Sequence, residues 1–258
     1  MGAAHGHPLH FHAHSVLHRV PAHVKLLGLL GFVIVVVLTP RELLAAFAGH
    51  ALIVVALVAV SRVPPRYLLR RLWPILPFVV AAFVLPLVAT GERIEVGALS
   101  LSVEGLRGGL GLLLKVVISA TAAVLFAATT EPRELVRGLD QLRLPQQLVQ
   151  IMSFMLRYLE VVTDELRRMS IALASRGFRA RSPRHWPVLA RTLGALFIRS
   201  FERGERVHLA MVSRGYTGRL PMQHVPASSR HWWAVLSVPT LAALAVLTAA
   251  LIPLGRLP

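Results

Sequence analysis

The chain has 258 residues, of which 55% are hydrophobic and only 16% charged, where a soluble domain carries about 25% charged. Its mean hydropathy is +0.64 and its formal net charge is +16, with Lys25 and Lys115 the only lysines. Cysteine is absent, which excludes disulfides, thiolate nucleophiles and cysteine metal sites. The apolar excess excludes an ordinary water-soluble globule, and the chain reads as crossing a bilayer about five times.

The opening stretch holds seven of the twelve histidines: His5, His7, His10, His12, His14, His18 and His23. Alternating histidines suit nickel, cobalt or zinc; the bland counterpart is a flexible tail with incidental histidines. It does not read as a signal peptide, because the apolar run after it has no small-residue cleavage site. No metal ligand set is assigned. A spanning helix needs about 20 mostly apolar residues. Val24–Leu38 is the first such run, broken by Thr39-Pro40-Arg41-Glu42, and Leu43–Val60 is the second. Arg62, Arg66, Arg70 and Arg71 follow around Pro64-Pro65. The third run, Leu72–Ala89, contains Pro74, Pro77 and Pro86, tolerable in lipid if neighbouring helices satisfy the freed carbonyls. A loop from Gly91 to Glu104 holds three glutamates and one arginine. Leu110–Ala128 is the fourth run and Trp232–Ile252 the fifth, opening on an interfacial Trp232-Trp233 pair.

The positive-inside rule sends the Arg62–Arg71 loop and the segment from Glu131 to Arg230 to the cytoplasm, and the acidic Gly91–Glu104 loop outside. The expected organisation is a histidine-rich cytoplasmic tail over 1–23, membrane helices over 24–130, a basic cytoplasmic segment over 131–230, and a last membrane helix over 231–258. With five spans the N-terminus lies inside and the C-terminus outside. Within the spans, Lys115 reads as snorkelling to the outer interface. His50 reads as a neutral packed histidine, with a functional role the alternative.

The basic segment reads as helices. Gln146–Ala174 places Leu148, Ile151, Met152, Met155, Leu159 and Val162 on one face, after a helix-starting Pro145. A second helix fits Trp186–Val212, with Leu189, Leu193, Leu196, Phe197 and Phe201 along one face. The first ends in Ser175-Arg176-Gly177-Phe178 and the second in Ser213-Arg214-Gly215-Tyr216, after Ile171-Ala172-Leu173 and Leu209-Ala210-Met211 at matching offsets. That is a short internal repeat. Ordinary capping explains the glycines, and the helix dipole explains the arginines, but neither explains the repeated aromatic. The sharper reading is two equivalent plugs for two equivalent sockets, since an arginine fork suits a socket lined by carboxylates.

The stretch Leu196–Tyr216 (LFIRSFERGERVHLAMVSRGY) resembles the transmembrane, or T, component of energy-coupling factor importers, closest to the cobalt-transport CbiQ type. Thr129-Thr130-Glu131-Pro132, Leu142-Arg143-Leu144-Pro145, Arg157-Tyr158 and the opening Leu17-His18-Arg19 with His23-Val24-Lys25-Leu26-Leu27 fit as well. The resemblance covers nearly the whole chain. It implies an all-α polytopic membrane protein of about five transmembrane helices with long amphipathic cytoplasmic coupling helices, in the cell inner (plasma) membrane. It implies that Ser175, Arg176, Gly177, Ser213, Arg214 and Gly215 dock two ATPase subunits, with serine where the family often has alanine. It also implies that the helices pass ATP-driven motion to a separate substrate-binding membrane subunit, in an importer for cobalt or nickel ions or, alternatively, for a vitamin. No Walker A pattern occurs, so ATP is expected to bind a partner; no catalytic residue and no cofactor is assigned. A membrane enzyme gripping a lipid phosphate is the rival of a different class, though acidic metal-binding motifs for such chemistry are missing. Nucleic-acid binding is the other rival. The arginines flank membrane runs and amphipathic helices, so anionic lipid and the partner explain the charge with no nucleic acid.

Overall fold

The computed structural model describes residues 16–96, 99–179, 182, 185–218 and 228–251. His5, His7, His10, His12 and His14 lie outside them, as does the last residue of the fifth apolar run, Ile252. The described residues are almost all helical. In chain order they form α1 (Val16–Arg19), α2 (Ala22–Leu38), α3 (Leu44–Ser61), α4 (Pro65–Arg71), a 3₁₀ turn (Trp73–Ile75) and α5 (Leu76–Val88). A β1–β2 hairpin (Arg93–Val96, Leu99–Ser102) precedes α6 (Val103–Thr129), α7 (Pro132–Gln141), α8 (Gln146–Ser175), α9 (Trp186–Val212) and α10 (Ser229–Leu251). Each of the five apolar runs is therefore helical. Three helices, α3, α6 and α10, are long and apolar enough to cross a membrane, and α4 with the run into α5 counts as a fourth only if that pair, bent by 42°, is taken as one span. The apolar helix α2 has 17 residues, the lower limit for a span. The chain is an all-α polytopic membrane protein.

The chain divides into two compact units, one running to Gly138 and resuming at Val225, the other Leu139–His224. The basic segment expected to begin at Glu131 therefore gives most of α7 to the membrane unit. The reason is a close approach: a Cβ on Gly138 would meet the His23 backbone nitrogen at 2.8 Å and the Ala22 Cβ at 3.2 Å.

The core of the membrane unit joins four helices through Phe32 and Val36, Phe47 and Val54, Ile118 and Ala122, and Ala242. Lipid supplies no hydrophobic drive between helices, so association rests on close contact at small residues. Gly31 of α2 faces Pro239 of α10, and Gly49 of α3 faces the Ala245 Cβ, 2.9 Å from where its own Cβ would lie. Gly105 and Gly109 of α6 lie against the backbone of α5. This contact resolves the proline-rich third run. Pro74 and Pro77 sit in the first turns of their helices, where a missing N–H costs nothing. Pro86 lies inside α5 and leaves the Ala82 carbonyl without its helical donor. That carbonyl abuts Gly109 so closely that a Cβ there would lie 2.5 Å from it.

The two lysines have one job done twice. Lys25, near the start of α2, donates from Nζ to the Thr129 carbonyl at the end of α6, at 2.8 Å. Lys115 of α6 donates to the Val37 carbonyl at the end of α2, at 2.7 Å. Each ammonium thus satisfies an orphan carbonyl at the negative end of the other helix. Lys115, expected to snorkel to the outer interface, is placed as a cap on a neighbouring helix end. Lys25 is 7% exposed and Thr129 1%, so Lys25→Met is expected to cost about 1–3 kcal/mol. Lys115→Met, at a half-buried site, is expected to cost less. Thermal unfolding of the two variants in one detergent measures the difference.

His50 is fully buried, with Nε2 3.0 Å from the Thr39 hydroxyl. That hydroxyl donates to the Val35 carbonyl at 2.8 Å, so it accepts from His50, which is therefore the Nε2–H tautomer. Phe32 and Phe47 meet the ring edge-on, each at 6.1 Å between centroids. The histidine is packed, and it ties α3 to the end of α2. The acidic loop contains a feature not expected from the sequence: β1 and β2 pair antiparallel, Arg93 opposite Ser102. Ser102 then caps α6, its Oγ accepting from the Gly105 N–H at 3.3 Å.

Candidate functional site: two capped helix ends

Within the second unit, α8 and α9 end in the same backbone geometry. At the end of α8 the Phe178 N–H donates to the Leu173 carbonyl and the Gly177 N–H to the Ala174 carbonyl, both at 3.0 Å. At the end of α9 the Tyr216 N–H donates to Met211 and the Gly215 N–H to Val212, again at 3.0 Å. Each set is a Schellman motif, closed by a glycine in the left-handed region: φ is +76° at Gly177 and +82° at Gly215. Burial repeats as well. Leu173 and Phe178 are half-buried on one end and Met211 and Tyr216 on the other, while the Ser-Arg-Gly residues between are exposed. The motif commonly pairs an apolar residue after the glycine with one a turn back, and the repeated aromatic stands at that position.

Capping does not account for what the arginines present. Arg176 and Arg214 are exposed, and neither has an ion-pair partner among the described residues. Ser175 donates to the Ile171 carbonyl and Ser213 to the Ala210 carbonyl, both at 3.0 Å. The hydroxyls are thus spent within their own helices, leaving a small neutral residue beside each arginine, much as alanine would.

The glycines are required by conformation, because a Cβ at Gly177 or Gly215 would meet nothing within 4 Å. Gly177→Ala or Gly215→Ala is expected to cost about 1–2 kcal/mol through φ alone. Gly204→Ala, at an equally open position inside α9, is expected to stabilise by about 1 kcal/mol. Hydrogen exchange of the amides at 177–178 and 215–216 reads the first effect locally, and thermal unfolding reads the second.

The ends differ in anchoring. Phe178 meets His185 edge-on at 5.4 Å. Tyr216 meets His208 at 6.4 Å and also donates its hydroxyl to Gln150 Oε1 at 2.8 Å, while Gln150 Nε2 donates to the Gly218 carbonyl. The second end is thus tied to the start of α8, a link no local sequence signal carries. Further along, Arg199 of α9 pairs with Glu165 of α8 at 2.6 Å. The pair lines a groove of about 660 Å³ shared with Ile151, Met155, Tyr158 and Arg203. Only Val149 of α8 and Leu196 of α9 are buried. Ile151, Met155, Phe197 and Phe201 are each at least 60% exposed, so the apolar faces are uncovered. Among the described residues no group of three His, Asp or Glu side chains is placed to hold a metal.

The profile of the CbiQ family, described as cobalt transport protein, matches residues 13–226. The chain belongs to the CbiQ family. This CbiQ-family chain is 30% identical over 221 residues to the energy-coupling factor transporter transmembrane protein of Bacillus subtilis, covering 79% of this chain and 82% of that one. It is 29% identical over 223 residues to the protein of the same name from Thermosediminibacter oceani, covering 79% and 81%. An uncharacterised protein of Methanocaldococcus jannaschii is 26% identical over 216 residues, covering 80% and 73%. The CbiQ-family chain is thus a multi-pass plasma-membrane component of the energy-coupling factor type.

Proposed function

We propose that this CbiQ-family chain is the energy-coupling subunit of an importer for cobalt or nickel ions. In this reading α8 and α9 lie in the cytoplasm, and Arg176 and Arg214, flanked by Ser175, Gly177, Ser213 and Gly215, dock into two equivalent ATPase subunits. ATP hydrolysis belongs to those subunits. The observation that carries the reading is the pair of matching Schellman ends, each presenting an exposed arginine with no ion-pair partner among the described residues. A guanidinium held on a rigid helix end is preorganised for a carboxylate-lined socket. Two such ends on one chain call for two sockets, as a pair of like ATPase subunits supplies. The Glu165–Arg199 pair and the Tyr216–Gln150 hydrogen bond favour α8 and α9 moving as one piece when the ATPases close. Their uncovered apolar faces then pass that motion to a substrate-binding membrane subunit.

The cobalt assignment leans on the family description, and a vitamin importer would use the same scaffold. Isolation of the complex from native membranes through a tag on this chain tests both points. Two copies of an ATPase subunit and one small membrane subunit are expected to co-purify, with cobalt or nickel uptake in cells that express the set. A chain that purifies alone from cells whose uptake is intact would contradict the coupling role. A vitamin bound to the small subunit would replace the metal as cargo.

A further inference from the structure

The break between α4 and α5 opens a cleft that the coupling role does not use. Its walls include Leu69, Leu72, Trp73, Leu76, Val79 and, across from them on α6, Val117, and its volume is about 330 Å³. Trp73 is 75% exposed and Leu69 67%. A helix is roughly 10 Å across, so two turns of one would overfill the cleft, while an extended hydrocarbon chain suits it. The cleft also runs on to the exposed apolar surface of α5, where Phe78, Val80 and Phe83 stand out.

The charge beside the cleft is unbalanced. Arg66 and Arg70 lie four residues apart on α4 and so share a face; Arg62 precedes them at the left-handed end of α3, with φ +56°. All three are exposed, and none has an ion-pair partner among the described residues. Arg71 is occupied differently, lying 4.8 Å over the Tyr67 ring. Basic residues next to an apolar cleft, with a tryptophan at the junction, match an amphiphile with an anionic head at a membrane interface.

We propose that the α4–α5 break is a binding site for an anionic phospholipid. The headgroup phosphate lies against Arg66 and Arg70, and one acyl chain lies along Leu72, Leu76, Val79 and Val117. The site is independent of ATPase docking.

Native mass spectrometry of the full chain, with phosphatidylglycerol against phosphatidylcholine of identical chains, tests the assignment. Phosphatidylglycerol is expected to be retained preferentially. The Arg66→Gln/Arg70→Gln double variant is expected to lose that preference by roughly twenty-fivefold, at about a factor of five per surface cation. Val117→Trp fills the cleft with every charge intact and is expected to weaken retention as well, which non-specific attraction to the arginines would not show. Cross-linking of the unaltered chain by phosphatidylglycerol with a photoreactive acyl chain is expected to label residues 69–79 and 117, whatever the variants' folding. Equal retention of both lipids, or labels spread evenly over all membrane helices, would overturn the proposal. So would a Val117→Trp chain that loses a co-purifying membrane subunit while its lipid retention is unchanged, because the cleft would then be a protein-docking face.

Discussion

Replacing Arg176 and Arg214 together by glutamate is expected to release the ATPase subunits and abolish uptake, with the chain still folded. Both side chains are exposed and have no ion-pair partner among the described residues, so their loss changes stability by about 0.5 kcal/mol or less. Across a docked interface the same change is large. Truncating one partner of a buried charge pair costs about 2–5 kcal/mol, and reversal adds repulsion to the loss. At two sockets the sum takes a micromolar or tighter complex out of reach. Each single reversal is expected to weaken association by tenfold or more and to leave partial uptake. The better anchored end, Arg214 beside the Tyr216–Gln150 bond, is expected to give the larger loss, because an ordered helix end has less entropy to lose on docking. Pull-down of the ATPase subunits and uptake in the same cells read both quantities. Intact association and normal uptake in the double variant would sink the docking assignment.

Gly105→Ala together with Gly109→Ala is expected to separate α5 from α6 and lower the melting temperature by on the order of 10 °C in detergent. The added methyls would lie 2.6 Å from the Leu85 carbonyl and 2.5 Å from the Ala82 carbonyl. Neither acceptor is the flexible tip of a side chain; both belong to the α5 backbone, so the helix itself must move. Overpacking of this kind costs about 1–3 kcal/mol per site, and a chain of this size loses about 2–4 °C per kcal/mol. Moving α5 also exposes the Ala82 carbonyl that Pro86 leaves without a donor, which lipid cannot satisfy. Gly108→Ala is the control. Its Cβ would have only the Arg41 Nη1 nearby, at 3.8 Å, so stability is expected to hold or rise through helix propensity. Equal melting temperatures for the double variant and the control would refute this account of the α5–α6 interface.

The candidate site was legible because its chemistry is local. A glycine that must turn left-handed, a serine and an arginine before it and an aromatic after it fall within four consecutive residues, twice. The aromatic stands where a Schellman cap takes an apolar residue, and Phe178 and Tyr216 are half-buried there. The tie from Tyr216 to Gln150 was not legible, since it joins residues 66 positions apart with no pattern connecting them. The β1–β2 hairpin was legible in principle. Ile94 and Val96, then Leu99 and Leu101, alternate with polar or small residues around Gly97, a period-two pattern masked by the loop's charge.

The sequence by itself determined that this chain lives in a membrane, where its five apolar runs lie, although α6 begins at Val103, seven residues before the run that marks it, and that two helices of the basic segment end alike. Hydrophobicity and capping act over a few residues, so they are written in order along the chain. Only the tertiary structure decided which helix touches which. In the run Gly105 to Gly111 four glycines look equivalent on paper, yet Gly105 and Gly109 meet the α5 backbone while Gly108 meets almost nothing. Lys25 and Lys115 likewise read as two isolated charges until each is seen capping the other's helix. A helix that is apolar on every side carries no stripe to mark its packing face. In lipid, contact is chosen by shape and by which carbonyls lack a donor, and both depend on segments far apart in the chain.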